Sequence, residues 1–364
     1  MRSKSNSKKG VFIALVVILV VILLAPFNWY KSSSRAVSDD SSEVEFVVSE
    51  GATLGQVAAE LEDAGIIRSA AAVKVYNKLQ GGIILQAGTY KLDKSWNMPT
   101  IIDNISVGNA VDSSISLTFI EGTGVQEYAD VIAANTSNTR EEVLAVMSDT
   151  DYIRTLIDKY WFLTDDILNA DIYYPLEGYL MPNTYKVANE NVDVQTIVEM
   201  LLDQTATVLE PYRSTVESGS TGYTIHEIMT LASVTEREGK STEDRAEIIG
   251  VFKNRLAAGM SLGSDVTTYY AFGVDMATSD LTYNQLHSAN PYNTRGPGME
   301  GKLPVGPICN PSEDAIDAVF NYKTTDAMYF VADVNGKVYF TKTSAEHEAK
   351  IAELKAAGLW HIYE

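Results

Sequence analysis

The chain has 364 residues, with 48 acidic against 28 basic side chains, a formal charge of −20 at pH 7 and a single cysteine. This balance excludes binding to nucleic acid or an anionic surface through bulk charge. Cys309 has no partner for an intramolecular disulfide, so packing alone must hold a fold whose length allows two or three modest cores.

Residues 1–10, MRSKSNSKKG, read as a cytoplasmic tail, and 11–30, VFIALVVILVVILLAPFNWY, carry no charge. A helix of about 20 such residues spans roughly 30 Å of hydrocarbon, so a retained transmembrane helix is expected. Arg2, Lys4, Lys8 and Lys9 precede it and an acidic stretch starts at Asp39, which puts the N-terminus in the cytoplasm and the rest outside the membrane. Beyond residue 38, 22 basic residues face 48 acidic ones, a net of −26 that suits a neutral or cationic substrate. The Ser-rich stretch 31–43 reads as a tether.

The expected fold class is α+β: a small module over 44–112, then a mixed α/β domain over 113–364. In the first, a strand at 44–48 leads to helices near 53–64 and 69–79, and 83–92 reads as strand-turn-strand. FVVSEGATLGQVAAEL (46–61) is echoed weakly by LTFIEGTGVQEYADVIA (117–133), each a strand, a Glu-Gly turn and a helix start. From there to about 215 the pattern is mostly helical, interrupted by Tyr173-Tyr174-Pro175 and EGYLMPNTYKV (177–187). Those tyrosines suit either a local aromatic core or stacking on sugar faces.

Thr224 and Glu227 have capping-box spacing and open a helix through Gly239. At 100° per residue, Ile225, Ile228, Met229 and Ala232 share an arc that includes Glu236, while Glu238 projects roughly 160° from it, toward expected solvent. Burial raises a carboxyl's pKa, so Glu236 can hold a proton near neutrality and act as a general acid; the competing reading is a buried ion pair. A second helix starts at Ser241 and forms a hairpin with the first. MYFVADVNGKVYFTKT (328–343) alternates about an Asn335-Gly336 turn, and a last helix covers roughly 344–357.

Other chemistries lack their residues. His226, His287, His347 and His361 are scattered without ligand spacing, no GxSxG occurs, and the one SxxK, Ser5 to Lys8, lies in the basic tail.

The order LASVTEREG (231–239), VFKNRLAAGMSLGSDVTTYYAFG (251–273) and NPYNTRGPGMEGKLPVGPICNP (290–311), with EGYLMPNTYKV upstream, resembles the YceG-like family of MltG-type endolytic murein transglycosylases over most of the chain after residue 44. Asn183 departs from the Asp usual in that motif. The resemblance implies a LysM-like 44–112 module and a lytic transglycosylase that cleaves the MurNAc-GlcNAc β-1,4 bond of nascent strands. Glu236 would be acid and then base, and the sugar's C6 hydroxyl would close a 1,6-anhydro ring. Neither metal nor organic cofactor is implied. Asp265, Thr267, Tyr292, Asn293 and Thr294 match family motifs as substrate-binding residues, with Asn293 suited to an acetamido group, although a turn cap would equally explain it. Partners would be peptidoglycan strands and membrane peptidoglycan synthases. A non-catalytic scaffold that binds the wall and regulates synthases is the alternative.

Overall fold

The structure, a computed structural model, describes residues 24–110 and 114–360. The basic tail and residues 11–23 of the expected membrane span lie outside those residues. Positions 24–33 are helical, and among the described residues no helix is long and apolar enough to cross a membrane. The chain divides into two compact units, one ending at Ser113 and one starting at Ser114.

In the first unit, β1 (Glu43–Val48) pairs antiparallel with β2 (Gly88–Asp93), Phe46 opposite Tyr90. Helices α1 (Leu54–Asp63) and α2 (Ala70–Leu79) lie between them in sequence, and α3 (Met98–Val107) follows. Alternation along β1 turns Phe46 and Val48 inward, onto Val57, Leu61, Val73, Tyr90 and Ile102 in a core of their own. Thr53 and Gln56 form the capping box that starts α1. The expected strand at 83–87 is absent, because left-handed Gly81 and Gly82 turn the chain there and only Gly88 onward pairs with β1.

The second unit is mostly helical around one larger core. Strand β3 (Ile115–Thr118) pairs antiparallel with β4 (Thr184–Val187), although 65 residues separate them; α4 (Val125–Asn135), α5 (Arg140–Met147) and α6 (Thr150–Lys159) lie in between. Residues 46–61 and 117–133 do share a strand followed by a helix, and each strand pairs antiparallel with one beyond intervening helices, across 39 residues for β1 and 65 for β3. Asn183 sits just before β4. Its side-chain oxygen accepts from the Thr184 amide at 2.7 Å while its carbonyl accepts from Phe119 at 2.9 Å. An Asp oxygen would accept equally well at this exposed position, so Asn183→Asp should change stability by less than about 0.5 kcal/mol, read by urea unfolding.

Helix α7 (Val194–Leu209) buries Ile197, Val198, Leu201 and Leu202. It precedes α8 (Ile225–Glu238), which is capped by Thr224 and Glu227 as expected. Helix α9 (Thr242–Ala257) packs on α8, and both pack on α10 (Glu313–Phe320). The final hairpin, β5 (Tyr329–Ala332) with β6 (Val338–Thr341), turns through left-handed Gly336 and packs against α11 (Ser344–Ala356). Gly178, with φ +85°, sits at a tight joint of the unit. A Cβ there would lie 2.3 Å from the Pro307 ring, and the side-chain oxygen of Asn310 accepts from the amides of Gly178 and Leu180 at 2.9 and 3.1 Å. The EGY and PVGPICN segments are thereby locked together at the core.

Candidate active site

The last turn of α8 sends three successive side chains into three surroundings, because each residue turns the helix by about 100°. Glu236 goes into the packing: its Oε1 pairs with Arg245 of α9 at 2.7 Å, both side chains nearly nine-tenths buried or more, at 7% and 12% exposure. Its other oxygen accepts from the amide of Ser312 at 3.0 Å and from the Ser312 hydroxyl. Ser312 is the N-cap of α10. Glu236 therefore joins three helices, with its oxygens occupied by a guanidinium and a helix cap. This is the buried ion pair set against general-acid chemistry in the sequence.

Arg237 turns to another side and donates to the Gly122 carbonyl at 3.2 Å. Glu238, expected in solvent, instead lines a cleft of about 610 Å³. The helical wheel assumed that nothing covers the far side of α8. The segment 260–263, Asp265, the loop at Arg295, β5 and α11 cover it. The Ser264 hydroxyl donates to Glu238 Oε1 at 2.5 Å. Desolvation by these walls pushes the carboxyl up to about 7 and the neighbouring Asp265 charge adds to it, against the opposing pull of the Ser264 hydrogen bond, Arg295 and Arg255. A carboxyl that titrates near neutrality in a cleft can both give and take a proton.

Arg255 is fixed beside it by donating to the carbonyls of Met328 at 2.6 Å and Leu262. Tyr329, His347 and Trp360 complete the opposite wall. Asp265 is the first residue of a short helix, α12 (Asp265–Phe272, following α9 in sequence), whose N-cap is Ser264. The Asp265 carboxylate faces the cleft and pairs with Arg295.

The other expected substrate-binding residues do not line this cleft; they are buried and spent on the fold. The Asn293 side-chain oxygen accepts from the Thr268 hydroxyl at 2.6 Å and from the Arg295 amide at 3.1 Å. Its amide nitrogen donates to the carbonyls of Gln285, Leu286 and Ser288 at 2.9–3.3 Å. That leaves it nothing for an acetamido group, and its bond to Arg295 is the turn cap. Thr267 and Thr294 bond each other at 2.8 Å and both reach Ser264. They position the residue that holds Glu238. Tyr292 packs between Tyr173 and Tyr270, with centroids 4.8 Å from each.

The chain matches the YceG-like family over residues 46–353, and it belongs to that family. It is 32% identical over 329 residues to a Bacillus subtilis protein named endolytic murein transglycosylase, covering 90% of this chain and 89% of that one. A Streptococcus pneumoniae protein of the same name is 31% identical over 321 residues, spanning 84% of this chain but 57% of its own length. The crystal structure of a YceG-like protein from Listeria monocytogenes superposes with a TM-score of 0.60 at 31% identity, covering 85% of this chain and all of that one.

Proposed function

We propose that this chain is an endolytic murein transglycosylase, a lyase acting on peptidoglycan, and that Glu238 is its general acid and then its base. The observation that carries the assignment is a carboxyl on the wall of a cleft large enough for sugar rings, oriented by the Ser264 hydroxyl; desolvation pushes it up to about 7. Glu236, by contrast, is engaged by Arg245 and Ser312.

In the proposed reaction Glu238 protonates the oxygen of the MurNAc-GlcNAc β-1,4 bond as that bond breaks. The carboxylate so formed then takes the proton from the C6 hydroxyl of the muramyl residue, whose oxygen bonds to the anomeric carbon. No water is consumed, and the carboxyl returns to its starting state. Arg255 and Arg295 keep cationic donors beside the site, and Ser264 orients the carboxyl. The apolar stretch 11–30 would anchor the chain in the cell membrane with this domain outside, near nascent strands and the synthases that make them. Residues 44–112 would serve as a LysM-like module.

Uncrosslinked glycan strands incubated with the full-length chain should yield fragments ending in 1,6-anhydroMurNAc by mass spectrometry. Reducing ends instead would make the enzyme a hydrolase, and uncleaved strands would favour a scaffold.

A further inference from the structure

A second cavity, of about 450 Å³, opens on the Arg237 side of the same helical turn. Glu177, at 2% exposure, lies in its wall, accepting from the Val125 amide at 3.1 Å and from the Tyr270 hydroxyl at 3.3 Å. The proton transfers assigned to Glu238 make no use of this carboxyl. Around it stand Tyr173, Tyr174 and Tyr270, with Gln126, Arg237 and Asp275 as planar polar neighbours.

We propose that this cavity is a second saccharide site, which takes neutral N-acetylated sugar rings of the strand held in the Glu238 cleft. The inference rests on the reading of the chain as a glycan-cleaving enzyme. Three observations carry it.

First, Tyr173 is not merely core. Its ring stacks on Tyr270 at 5.8 Å yet stays 45% exposed, held by Asn290 donating to its hydroxyl at 2.9 Å and by its own donation to the Ala271 carbonyl at 3.1 Å. A fixed, open aromatic ring is what the apolar face of a sugar needs.

Second, the polar groups suit hydroxyls and amides. Arg237 spends one donor on the Gly122 carbonyl and keeps others for a ligand. Asp275 and Glu127 offset its charge, so the cavity has no cationic surplus to select an anion. Burial also holds Glu177 protonated up to about pH 8, so that it adds no fixed negative charge under neutral conditions.

Third, the two sites are neighbours. Helix α12 has Asp265 in the Glu238 cleft and Tyr269 and Tyr270 at the second cavity. At 1.5 Å rise per residue that is an offset of about 7 Å along the helix. Both cavities are therefore walled by one helix, at successive turns of it.

Hydroxyl-radical footprinting of full-length Glu238→Gln with the tetramer of N-acetylglucosamine tests the proposal. Tyr173 and Tyr174 should be protected along with Tyr329 and Trp360. Gln126→Trp, a bulky change at an exposed rim residue, should raise the sugar concentration needed to protect the two tyrosines at least tenfold. Protection of Tyr329 and Trp360 with Tyr173 and Tyr174 unchanged would overturn the second site. So would protection of those tyrosines by an acidic pentapeptide but not by the sugar. Strand digestion by the unsubstituted chain separates the two readings: no cleavage removes the enzymatic reading, whereas cleavage with unprotected tyrosines removes only the second site.

Discussion

Glu238→Gln is expected to lower the release of anhydro ends by about 10²- to 10⁴-fold, the range over which a positioned acid-base group acts, while leaving the fold intact. Glutamine keeps the size of the side chain and can still accept from Ser264, but it has no proton to give the glycosidic oxygen. The wild-type rate should decline as pH rises through about 7, because the donor form of Glu238 is lost there. Residual activity of the variant should show no such limb. Glu236→Gln should behave in the opposite way. It removes the buried carboxylate beside Arg245 and leaves that guanidinium only the more distant Asp314, at 3.8 Å, so it should cost up to about 3 kcal/mol, while the protein that remains folded keeps its turnover. Product analysis by mass spectrometry and urea unfolding of both variants separate the two glutamates. Lost turnover in a stable Glu236→Gln protein, with Glu238→Gln fully active, would return the acid role to Glu236.

Local signals made much of the framework legible. The capping box of Thr224 and Glu227, Ser241 at the next helix start, and Asn335-Gly336 at the last hairpin all depend on residues within a few positions of one another. The site was less legible, because its walls come from distant parts of the sequence. The helical wheel separated Glu236 from Glu238 correctly as two directions. It had no means of knowing that Arg245 and Ser312 close one direction, or that Ser264, Arg295 and Tyr329 enclose the other. Asn293 shows the same limit: its chemistry suits an acetamido group, but five contacts inside the protein take up its side chain. The density of small polar residues in GSDVTT and PYNTR was the available clue that these segments knit together around Ser264, the residue that holds Glu238.

Glu177 should reveal itself through the pH dependence of stability. Desolvation raises its carboxyl from an ordinary 4.5 to about 8, against the pull of the Val125 amide, so the folded chain holds this proton more tightly than the unfolded chain does. A group with a raised folded value gives its full contribution below the unfolded value and loses it as pH rises through the folded one. Wild-type stability should therefore decline from about pH 4.5 to 8, at up to about 1.4 kcal/mol per pH unit from this group. Glu177→Gln can still accept from Val125 and carries no charge at any pH. It should match the wild type near pH 5 and exceed it at pH 9 by up to about 5 kcal/mol, less whatever relaxation or water entry relieves. Urea midpoints of both proteins across this range measure the difference. Parallel curves would mean that Glu177 is ionised in the folded chain, with the helix α4 amides outweighing its burial. A gap that opens above about pH 4.5 and levels off near pH 8 would identify Glu177 as a carboxyl that the fold keeps protonated near neutrality.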